Sequence, residues 1–469
     1  MSQNRTLLLG LDFGSTTSSA LIISVAMVND GITGAAKFAA PRIIYRATPV
    51  FTPFTGEHID TNEIANRIQT WLAESKLKVT ELFAASAIIT GLAAQKANIE
   101  IIRQLILKQI PNISIVAADD PHLESWLAFM GSCAALSRYH SETPILNLDI
   151  GGGTTNIAMG ENGNVQATGS HFIGARHFQF VPGGYQLRGI SKYGKALLEN
   201  FGIEKTVGET FSKKERTQLI GFYIKALEAI VQNNQGFFDA PVASMHVQAA
   251  FLLPSRTMPK ITFSGGVGEL VYALIAGKTI PSTTYYGDFG IDLAQAIVAS
   301  PVLSTHLKSH TPENLGRATA FGLALNSTEV SGSSIYLPNP NLLPLHDLPI
   351  LAKLPFDAPI EAWQKALRLA TMRATGVCLQ ITHANIGLQQ IRTFAQTLAK
   401  EILANHLKNP LVLLIEGNLG KTLGNYITNW GNLGIQLIVI DEIATRDAHF
   451  VNLGKLQQGV IPVSFYGMY

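Results

Sequence analysis

The sequence predicts an α/β protein with two duplicated lobes around a cleft and a smaller C-terminal α/β unit. Two passages share one order of apolar residues, aspartate, glycine and hydroxyl residues, and so predict the duplication. They are "GLDFGSTTSSALI" from Gly10 and "NLDIGGGTTNIAM" from Asn147. The chain of 469 residues is also too long to fold around a single hydrophobic core, so we expect more than one domain. We therefore expect one lobe in residues 1–140, a second in 141–330 and the C-terminal unit in 331–469.

The composition excludes several classes of protein. Hydrophobic residues make up 47% of the chain and charged residues 14%, which is too apolar for disorder and typical of sheets that helices cover. The formal net charge is +2 without a basic run, so we expect neither nucleic acid nor a membrane surface as partner. Cys133 and Cys378 form no metal-binding pair. Without a signal-peptide pattern or a membrane-length apolar stretch, we expect a soluble protein inside the cell.

In the first lobe, apolar runs alternate with amphipathic segments, as in a sheet covered by helices. After the glycine-rich passage, the predicted strands are 42–54, 85–91 and 113–120. The predicted helices are 60–75, 97–110 and 121–140. Because Pro121 suits the first position of a helix, we expect the last of these to be one long helix that connects the lobes.

The second lobe and the C-terminal unit repeat this alternation. Ser212 and Glu215 form a capping-box pattern at the start of a predicted helix over 212–232. A strand, a glycine turn and a helix are predicted over 261–277, and a closing helix over 314–326. A stretch rich in proline and asparagine then predicts a domain boundary or a surface excursion, after which helices and strands alternate again.

Each glycine-rich passage predicts a hairpin whose tip holds phosphate. A phosphate cradle needs backbone N–H groups, and glycine lets the chain approach the anion closely. Both passages continue into β-branched residues, which predicts a second strand where a Walker or Rossmann loop would continue into a helix. The candidate phosphate-binding residues are Gly14, Ser15, Thr16, Gly151, Gly152, Gly153, Thr154 and Thr155.

Asp12 and Asp149 occupy the same place in the two passages and are candidate ligands for Mg²⁺. Proteins hold this ion with one or two carboxylates, directly or through its waters, together with substrate phosphates. The alternative for either aspartate is an ordinary hairpin turn, which two matched copies disfavour. A third passage, "FSGGVGE" (263–269), offers a flat surface for a purine and its ribose through Ser264, Gly265 and Gly266.

The order of these passages resembles the actin, Hsp70 and sugar-kinase superfamily of ATPases. Within it, the chain is similar over nearly its full length to the ethanolamine ammonia-lyase reactivating factors. The passages that carry this likeness are "GLDFGSTTSSALI", "IITGLAAQKAN", "DDPHLES", "NLDIGGGTTNIAM", "SGGVGE", "GRATAFGLAL", "SGSSIYL" and "VIDEI". The resemblance implies two actin-like, ribonuclease H-like ATPase lobes that use ATP and Mg²⁺.

The resemblance also implies a chaperone-like task for the ATPase. The family rescues ethanolamine ammonia-lyase by letting intact adenosylcobalamin replace damaged cobalamin, and adenosylcobalamin belongs to the lyase. A cytoplasmic location is implied, with association with an ethanolamine-utilising bacterial microcompartment left open. Two alternatives also stay open: another actin-like ATPase that acts as chaperone or scaffold, and a small-molecule kinase. The oligomeric state is not legible in the sequence.

Asp120 and Glu124 lie where superfamily members place the group that orients the attacking water. Spacing does not decide between them, and either could instead stabilise a helix dipole. A separate passage, "IEGNLGKTLG", contains a GKT sequence, but Ile415 stands where a Walker loop requires glycine. We therefore predict that Lys421 is not a P-loop lysine.

Overall fold

Three mixed sheets organise the chain in its computed structural model, one in each of two lobes and one in a C-terminal unit. The structure describes residues 5–14, 17–29, 36–55, 58–90, 93, 96–111, 113–117, 120–254, 258–326, 328–332, 334–372, 376–382 and 387–468. The arrangement confirms the predicted α/β class with duplicated lobes and a C-terminal unit. Among the helices in these ranges, none combines the length and the hydropathy that a bilayer crossing requires.

The first lobe comprises β1 (Arg5–Phe13), β2 (Thr17–Asn29), β3 (Ala36–Arg46), β4 (Val50–Phe51), β5 (Phe54–Thr55), β6 (His58–Ile59), α1 (Thr61–Ser75), β7 (Leu82–Ile89), α2 (Ile99–Gln109), β8 (Ile113–Ala117), α3 (Pro121–Ser132) and α4 (Ala134–Tyr139). Its main sheet has the order β3-β2-β1-β7-β8, with β4 beside β2. Neighbours among β1, β2 and β3 are antiparallel, whereas β7 and β8 run parallel to β1.

The second lobe comprises β9 (Ile145–Ile150), β10 (Thr155–Glu161), β11 (Asn164–His171), β12 (Phe178–Phe180), β13 (Leu187–Ile190), α5 (Lys192–Phe201), α6 (Lys213–Val231), α7 (Pro241–Ser244), β14 (Val247–Ala249), β15 (Lys260–Ser264), α8 (Gly265–Ile275) and α9 (Gly290–Ala299). Its sheet has the order β14-β11-β10-β9-β15. As in the first lobe, an antiparallel trio lies beside a parallel strand, which confirms the duplication. The predicted capping box of Ser212 and Glu215 is present at the start of α6.

Helix α10 (Ala318–Asn326) leads into the C-terminal unit. That unit comprises β16 (Thr328–Val330), β17 (Leu345–Pro355), α11 (Ile360–Thr371), β18 (Val377–Thr382), α12 (Leu388–Ala404), β19 (Leu411–Ile415), α13 (Gly420–Ile427), β20 (Leu437–Ile440), β21 (Ala448–Leu453) and β22 (Pro462–Met468). The sheet has the order β16-β22-β21-β17-β18-β19-β20, and β17 to β20 are parallel. Because β16 pairs with β22, this sheet begins just before the boundary expected after residue 330.

Each unit has its own hydrophobic core. Trp71 is buried in the first lobe, Phe178 and Tyr223 in the second, and Trp363 in the C-terminal unit. A smaller apolar cluster joins α3 and α10 with β7 and β8 of the first lobe. The lobes are therefore separate packed bodies that share these two helices.

Helices α3 and α10 cross between the lobes. α3 belongs to the first lobe in the sequence but packs on β10 and β11 of the second, whereas α10 follows the second lobe but packs on β1 and β2 of the first. The helices touch at Gly131 and Gly322. A Cβ atom on Gly131 would overlap the carbonyl oxygen of Ala318, and one on Gly322 would overlap the carbonyl oxygen of Leu127. The lack of a side chain at both positions lets the two backbones meet.

The predicted single helix over 121–140 is wrong, because the chain forms α3 and α4 with a break at Cys133. The N–H of Glu313 donates to the carbonyl of Ser132 at 3.0 Å, so a distant segment takes a carbonyl of the last turn. Ser132 Oγ also donates to the carbonyl of Ala128 at 2.7 Å, a bond that often bends helices. Both effects favour the break.

Candidate functional site

Two hairpin tips with the same backbone closure lie between the lobes. In the first tip, the N–H of Gly14 donates to the carbonyl of Thr17 at 3.0 Å; in the second, the N–H of Gly151 donates to the carbonyl of Thr154 at 2.9 Å. The flanking strands pair antiparallel in both, which confirms the predicted strand–turn–strand hairpins. Two predicted phosphate ligands lie outside the described residues, namely Ser15 and Thr16.

Asp149 is a buried carboxylate at the end of β9, just before the second tip. It lies opposite Ser264 in the parallel pair of β9 and β15. Ser264 Oγ donates to Asp149 Oδ2 at 2.5 Å and accepts from Asn147 Nδ2 at 2.8 Å. Burial raises the pKa of Asp149 to about 6, although the bond from Ser264 lowers it. The chain therefore orients this carboxylate through two neighbouring strands.

Asp12 and Glu124 bring two more carboxylates towards Asp149. Burial, and then the charge of Asp149, raises the pKa of Asp12 to about 7, whereas Arg317 lowers it. Burial, and then the charges of Asp12 and Asp149, raises the pKa of Glu124 to about 8. Thr90 Oγ1 donates to Glu124 Oε1 at 3.3 Å. Carboxylates from β1, β9 and α3 therefore share one region between the lobes.

The negative charge of this region suits a hydrated divalent cation. Within the described part of the chain, no three His, Cys, Asp or Glu side chains are grouped closely enough to hold a metal ion. Mg²⁺ does not need such a group, because it keeps several waters and takes other oxygens from phosphates. Asp12 and Asp149 fit this ion, whose charge would offset the repulsion that contributes to the raised pKa of Asp12.

At the second tip, the candidate donors to a phosphate are the backbone N–H groups and one threonine hydroxyl. Residues 151–154 are partly exposed, but Thr155 is fully buried. Thr155 Oγ1 already donates to the carbonyl of Ile173 at 2.7 Å. Since a hydroxyl has one proton to donate, the expected hydrogen bond from Thr155 to phosphate is incompatible with this geometry. Thr154 remains the candidate hydroxyl of this tip.

Asp120 and Glu124, which the sequence leaves as alternatives, occupy different positions. Asp120 is the N-cap of α3, and its Oδ1 accepts from the backbone N–H groups of His122 and Leu123, each at 3.0 Å. Glu124 lies one turn later and is affected by the charges of Asp12 and Asp149. The fold therefore brings Glu124 to the carboxylate region and uses Asp120 to begin the helix.

The third glycine passage forms the turn between β15 and α8. Gly265 has a φ of +76°, and a Cβ atom there would lie 2.5 Å from the carbonyl oxygen of Ile150. Gly266 has open space where a Cβ atom would lie. Ser264 is fully buried, so its hydroxyl is not part of a surface that a purine could contact, contrary to expectation. Of the three residues predicted to contact a purine, Gly265 and Gly266 therefore stay candidates.

The sequence patterns described above do not identify three further residues of the site. Thr90 and Asn156 both hydrogen-bond to Glu124. Arg317 Nη2 donates to the carbonyl of Ala47 at 2.9 Å, which links the start of α10 to the first lobe. Thr90 directly follows β7, and Asn156 lies in the second glycine-rich passage. A polar residue in each of these places is the local signal that could have identified them. No local pattern marks Arg317, because its position depends on the crossing of the helices.

Two known proteins are similar to the chain along its whole length. "Ethanolamine ammonia-lyase reactivase EutA" of Escherichia coli (strain K12) is 26% identical over 476 residues, which covers 99% of this chain and 98% of that protein. The protein of the same name from Salmonella typhimurium (strain LT2) is 26% identical over 474 residues, with the same coverage.

A solved structure and a family description complete the comparison. The Ppx/GppA family member of Aquifex aeolicus is 15% identical, with a TM-score of 0.34, over 69% of this chain and 88% of that chain. Residues 4–467 match the family described as "Ethanolamine utilisation protein EutA". Because the match spans nearly all 469 residues, the chain belongs to the ethanolamine utilisation protein EutA family.

Proposed function

We propose that the chain binds ATP with Mg²⁺ between its lobes and hydrolyses it. The observation that carries the proposal is the convergence of two matching glycine tips and three carboxylates in one region. Backbone N–H groups at a glycine tip suit phosphate oxygens, and the carboxylates suit a hydrated cation. A triphosphate that contacts both tips would give the duplicated hairpins a common purpose.

Each group of the site has a task in this proposal. Asp12 and Asp149 hold Mg²⁺, which neutralises charge on the phosphate oxygens when it is bound. Ser264 orients Asp149 by its hydrogen bond. The phosphates contact Gly14, Ser15, Thr16, Gly151, Gly152, Gly153 and Thr154, and the purine lies against Gly265 and Gly266.

Glu124 is the group that we propose for the attacking water. Its carboxylate orients the water and accepts its proton, and Thr90 and Asn156 hold the side chain. Burial and neighbouring charges raise the pKa of Glu124 to about 8, which makes the carboxylate a stronger base than an exposed glutamate. Asp120 is engaged as the cap of α3, which is why we assign the water to Glu124.

We propose further that the ATPase reactivates ethanolamine ammonia-lyase. Support comes from the family, which covers nearly the whole chain, and from two relatives that are named as reactivases of that lyase. The chain would allow intact adenosylcobalamin to replace damaged cobalamin, and it would not itself be the lyase. Its place would be with the lyase, in the cytoplasm or in an ethanolamine-utilising microcompartment.

The test is a reactivation assay. Ethanolamine ammonia-lyase that holds an inactive cobalamin is incubated with the chain, Mg²⁺, adenosylcobalamin and ATP, and deamination of ethanolamine is followed. We expect activity to return with ATP and not with ADP. ATP hydrolysis without any return of lyase activity would reject the lyase as partner and favour another ATPase role. Transfer of phosphate to a small molecule would favour a kinase.

A further inference from the structure

Arg176 is an arginine that reaches from the second tip to the first lobe. Its backbone N–H donates to the carbonyl of Gly152 at 2.7 Å, which holds the residue against the tip. Its guanidinium lies over the ring of Phe51, with Cζ 4.1 Å from the ring centroid. β4 pairs Phe51 with Thr17, whose carbonyl closes the first tip. Arg176 therefore contacts the second tip through its backbone and the surroundings of the first tip through its side chain.

The hydrogen bonds of this guanidinium are incomplete. Nη1 of Arg176 is buried, lies 3.9 Å from Asp288 Oδ2 and has no hydrogen-bond partner among the described residues. The carboxylate of Asp288 is held in place, since its Oδ1 accepts from the N–H of Gly290 at 2.8 Å. A buried donor without an acceptor is unfavourable, and arginine suits phosphate oxygens particularly well. A phosphate oxygen beside the tip would give Nη1 of Arg176 the acceptor that it lacks.

We propose that Arg176 recognises the terminal phosphate of a nucleoside triphosphate and transmits its presence to the first lobe through Phe51. This inference rests on the nucleotide site proposed above. With the phosphate bound, the guanidinium donates to its oxygen and keeps its face on Phe51, which ties the lobes together. Without it, only the stacking and the long contact to Asp288 remain, so the lobes separate more easily.

A purely structural role of Arg176 predicts a different pattern of nucleotide affinities. An ion pair of Arg176 with Asp288 that only supports the second lobe would matter equally for every nucleotide. Recognition of the terminal phosphate would matter for a triphosphate and hardly at all for a diphosphate. The ratio of the two affinities therefore separates the two roles.

The first experiment measures this ratio by isothermal titration calorimetry with Mg²⁺. The ligands are AMP-PNP, an ATP analogue that resists hydrolysis, and ADP. We expect Arg176→Gln to weaken AMP-PNP binding roughly tenfold or more and ADP binding less than about threefold. The matched control is Arg188→Gln, which removes an exposed arginine whose charge also acts on Arg176. It should change neither affinity by more than about threefold.

The second experiment measures the distance between the lobes. Spin labels are attached to Lys108→Cys in α2 and Lys214→Cys in α6, which are exposed, whereas both native cysteines are buried. We expect the distance in the parent chain to differ between AMP-PNP and ADP. In Phe51→Ala, which alters a largely exposed side chain, AMP-PNP should still bind but the two distances should coincide.

The outcomes decide the proposal separately from the nucleotide site. Thermal unfolding confirms that each variant is folded, and Arg176→Lys, which keeps the charge but loses the planar group, replaces a glutamine variant that does not fold. Equal losses of AMP-PNP and ADP affinity, or no loss of either, would overturn the role of Arg176. A parent chain that binds neither nucleotide would reject the proposed nucleotide site itself.

Discussion

At the level of single residues, Asp12, Asp149 and Glu124 are buried carboxyl groups whose raised pKa values their neighbours offset only in part. Arg317 lowers the pKa of Asp12, and Ser264 lowers that of Asp149, but burial outweighs both effects. A folded protein tolerates such a group when a ligand supplies the missing charge, and buried carboxylates with raised pKa values are common at functional sites. We relate this arrangement to Mg²⁺ and to proton transfer from water.

The first prediction concerns the metal. Asp149→Ala should lower kcat for Mg²⁺-dependent ATP hydrolysis on the order of 10²-fold or more, because it removes one of two carboxylates proposed for the ion. Phosphate release is measured over a range of Mg²⁺ concentrations. Asp239→Ala, which removes an exposed aspartate of the same lobe, is the control. If Asp149→Ala hydrolyses ATP like the parent, the assignment of the site is wrong.

The second prediction concerns pH. Since burial and neighbouring charges raise the pKa of Glu124 from 4.5 to about 8, the folded state binds more protons than the unfolded chain between these values. This group therefore lowers the free energy of unfolding as the pH rises through that window. Glu124→Gln should raise that free energy for the metal-free protein at about pH 8.5, on the order of 2 kcal/mol, and change it little at about pH 4.5.

Urea denaturation at the two pH values checks the pH prediction. Glu199→Gln, at an exposed glutamate of α5, is the control and should show no such pH-dependent gain. A gain for Glu124→Gln that is equal at both pH values would contradict the electrostatic explanation. A loss at the higher pH would do so as well.

At the residue scale, the places of Asp12 and Asp149 are predictable because the signal is local, and their roles in binding stay predictions. Asp12 and Asp149 stand before matched glycine tips, and the structure brings them together with Glu124. Thr155 and Ser264 fail as nucleotide contacts because their hydroxyl groups bond to residues that are remote in sequence, Ile173 and Asp149. The direction of a hydroxyl group depends on strand pairing that a local pattern does not contain.

At the level of elements, the contact of α3 with α10 sets how closely the lobes are joined. Gly322→Ala should lower the free energy of unfolding by about 1–3 kcal/mol, because the added Cβ would overlap the carbonyl oxygen of Leu127. The control is Gly221→Ala in α6, where nothing lies within 4 Å of the Cβ position. That variant should gain about 0.5–1 kcal/mol. Urea denaturation that finds Gly322→Ala as stable as the parent would contradict the tight crossing.

The second prediction at the level of elements concerns the start of α13. Lys421 donates its N–H to the carbonyl of Ser334 at 2.5 Å, and Asp441 Cβ lies 3.3 Å from the Cβ position of Gly420. A carbonyl and an acidic residue therefore lie where a P-loop would hold phosphate. Lys421→Ala should leave ATP affinity within about threefold of the parent in a calorimetric titration. A loss of an order of magnitude in a folded variant would restore the P-loop hypothesis.

Elements with regular periodicity are predictable from the sequence, and irregular strands are not. The predicted helices over 60–75 and 212–232 agree with α1 and α6, whose polar caps are local signals. Strand β17 escapes prediction because Pro349 lies within it. Its pairing with β18 and with β21 shifts register, and such irregularities let a strand accommodate proline.

At the level of the whole molecule, the duplication places two tips on two bodies that two helices join. A ligand that contacts both tips can favour one arrangement of the lobes only if it binds that arrangement more tightly. A swing from mostly closed to mostly open requires several kcal/mol of differential binding, which is feasible for a triphosphate held from both sides. We expect loss of the terminal phosphate to let the lobes rotate about α3 and α10.

This whole-molecule arrangement is predictable in part. The repeated passages indicate two lobes, because a repeated order of strand, glycine turn and strand requires two similar sheets. The crossing of α3 and α10 and the reach of Arg317 to Ala47 are not predictable, since they join residues far apart in the sequence. The nucleotide control that we propose would depend on these long-range contacts.

We propose that the nucleotide state controls the release of damaged cobalamin from ethanolamine ammonia-lyase. The most direct measurement follows release of inactive cobalamin from the lyase while the affinity of the chain for the lyase is measured with ATP, ADP and no nucleotide. We predict that the affinity differs among these states and that release with Mg²⁺ and ATP exceeds release with ADP or with Asp149→Ala. Equal affinity in all three states, or full release without ATP, would contradict the account.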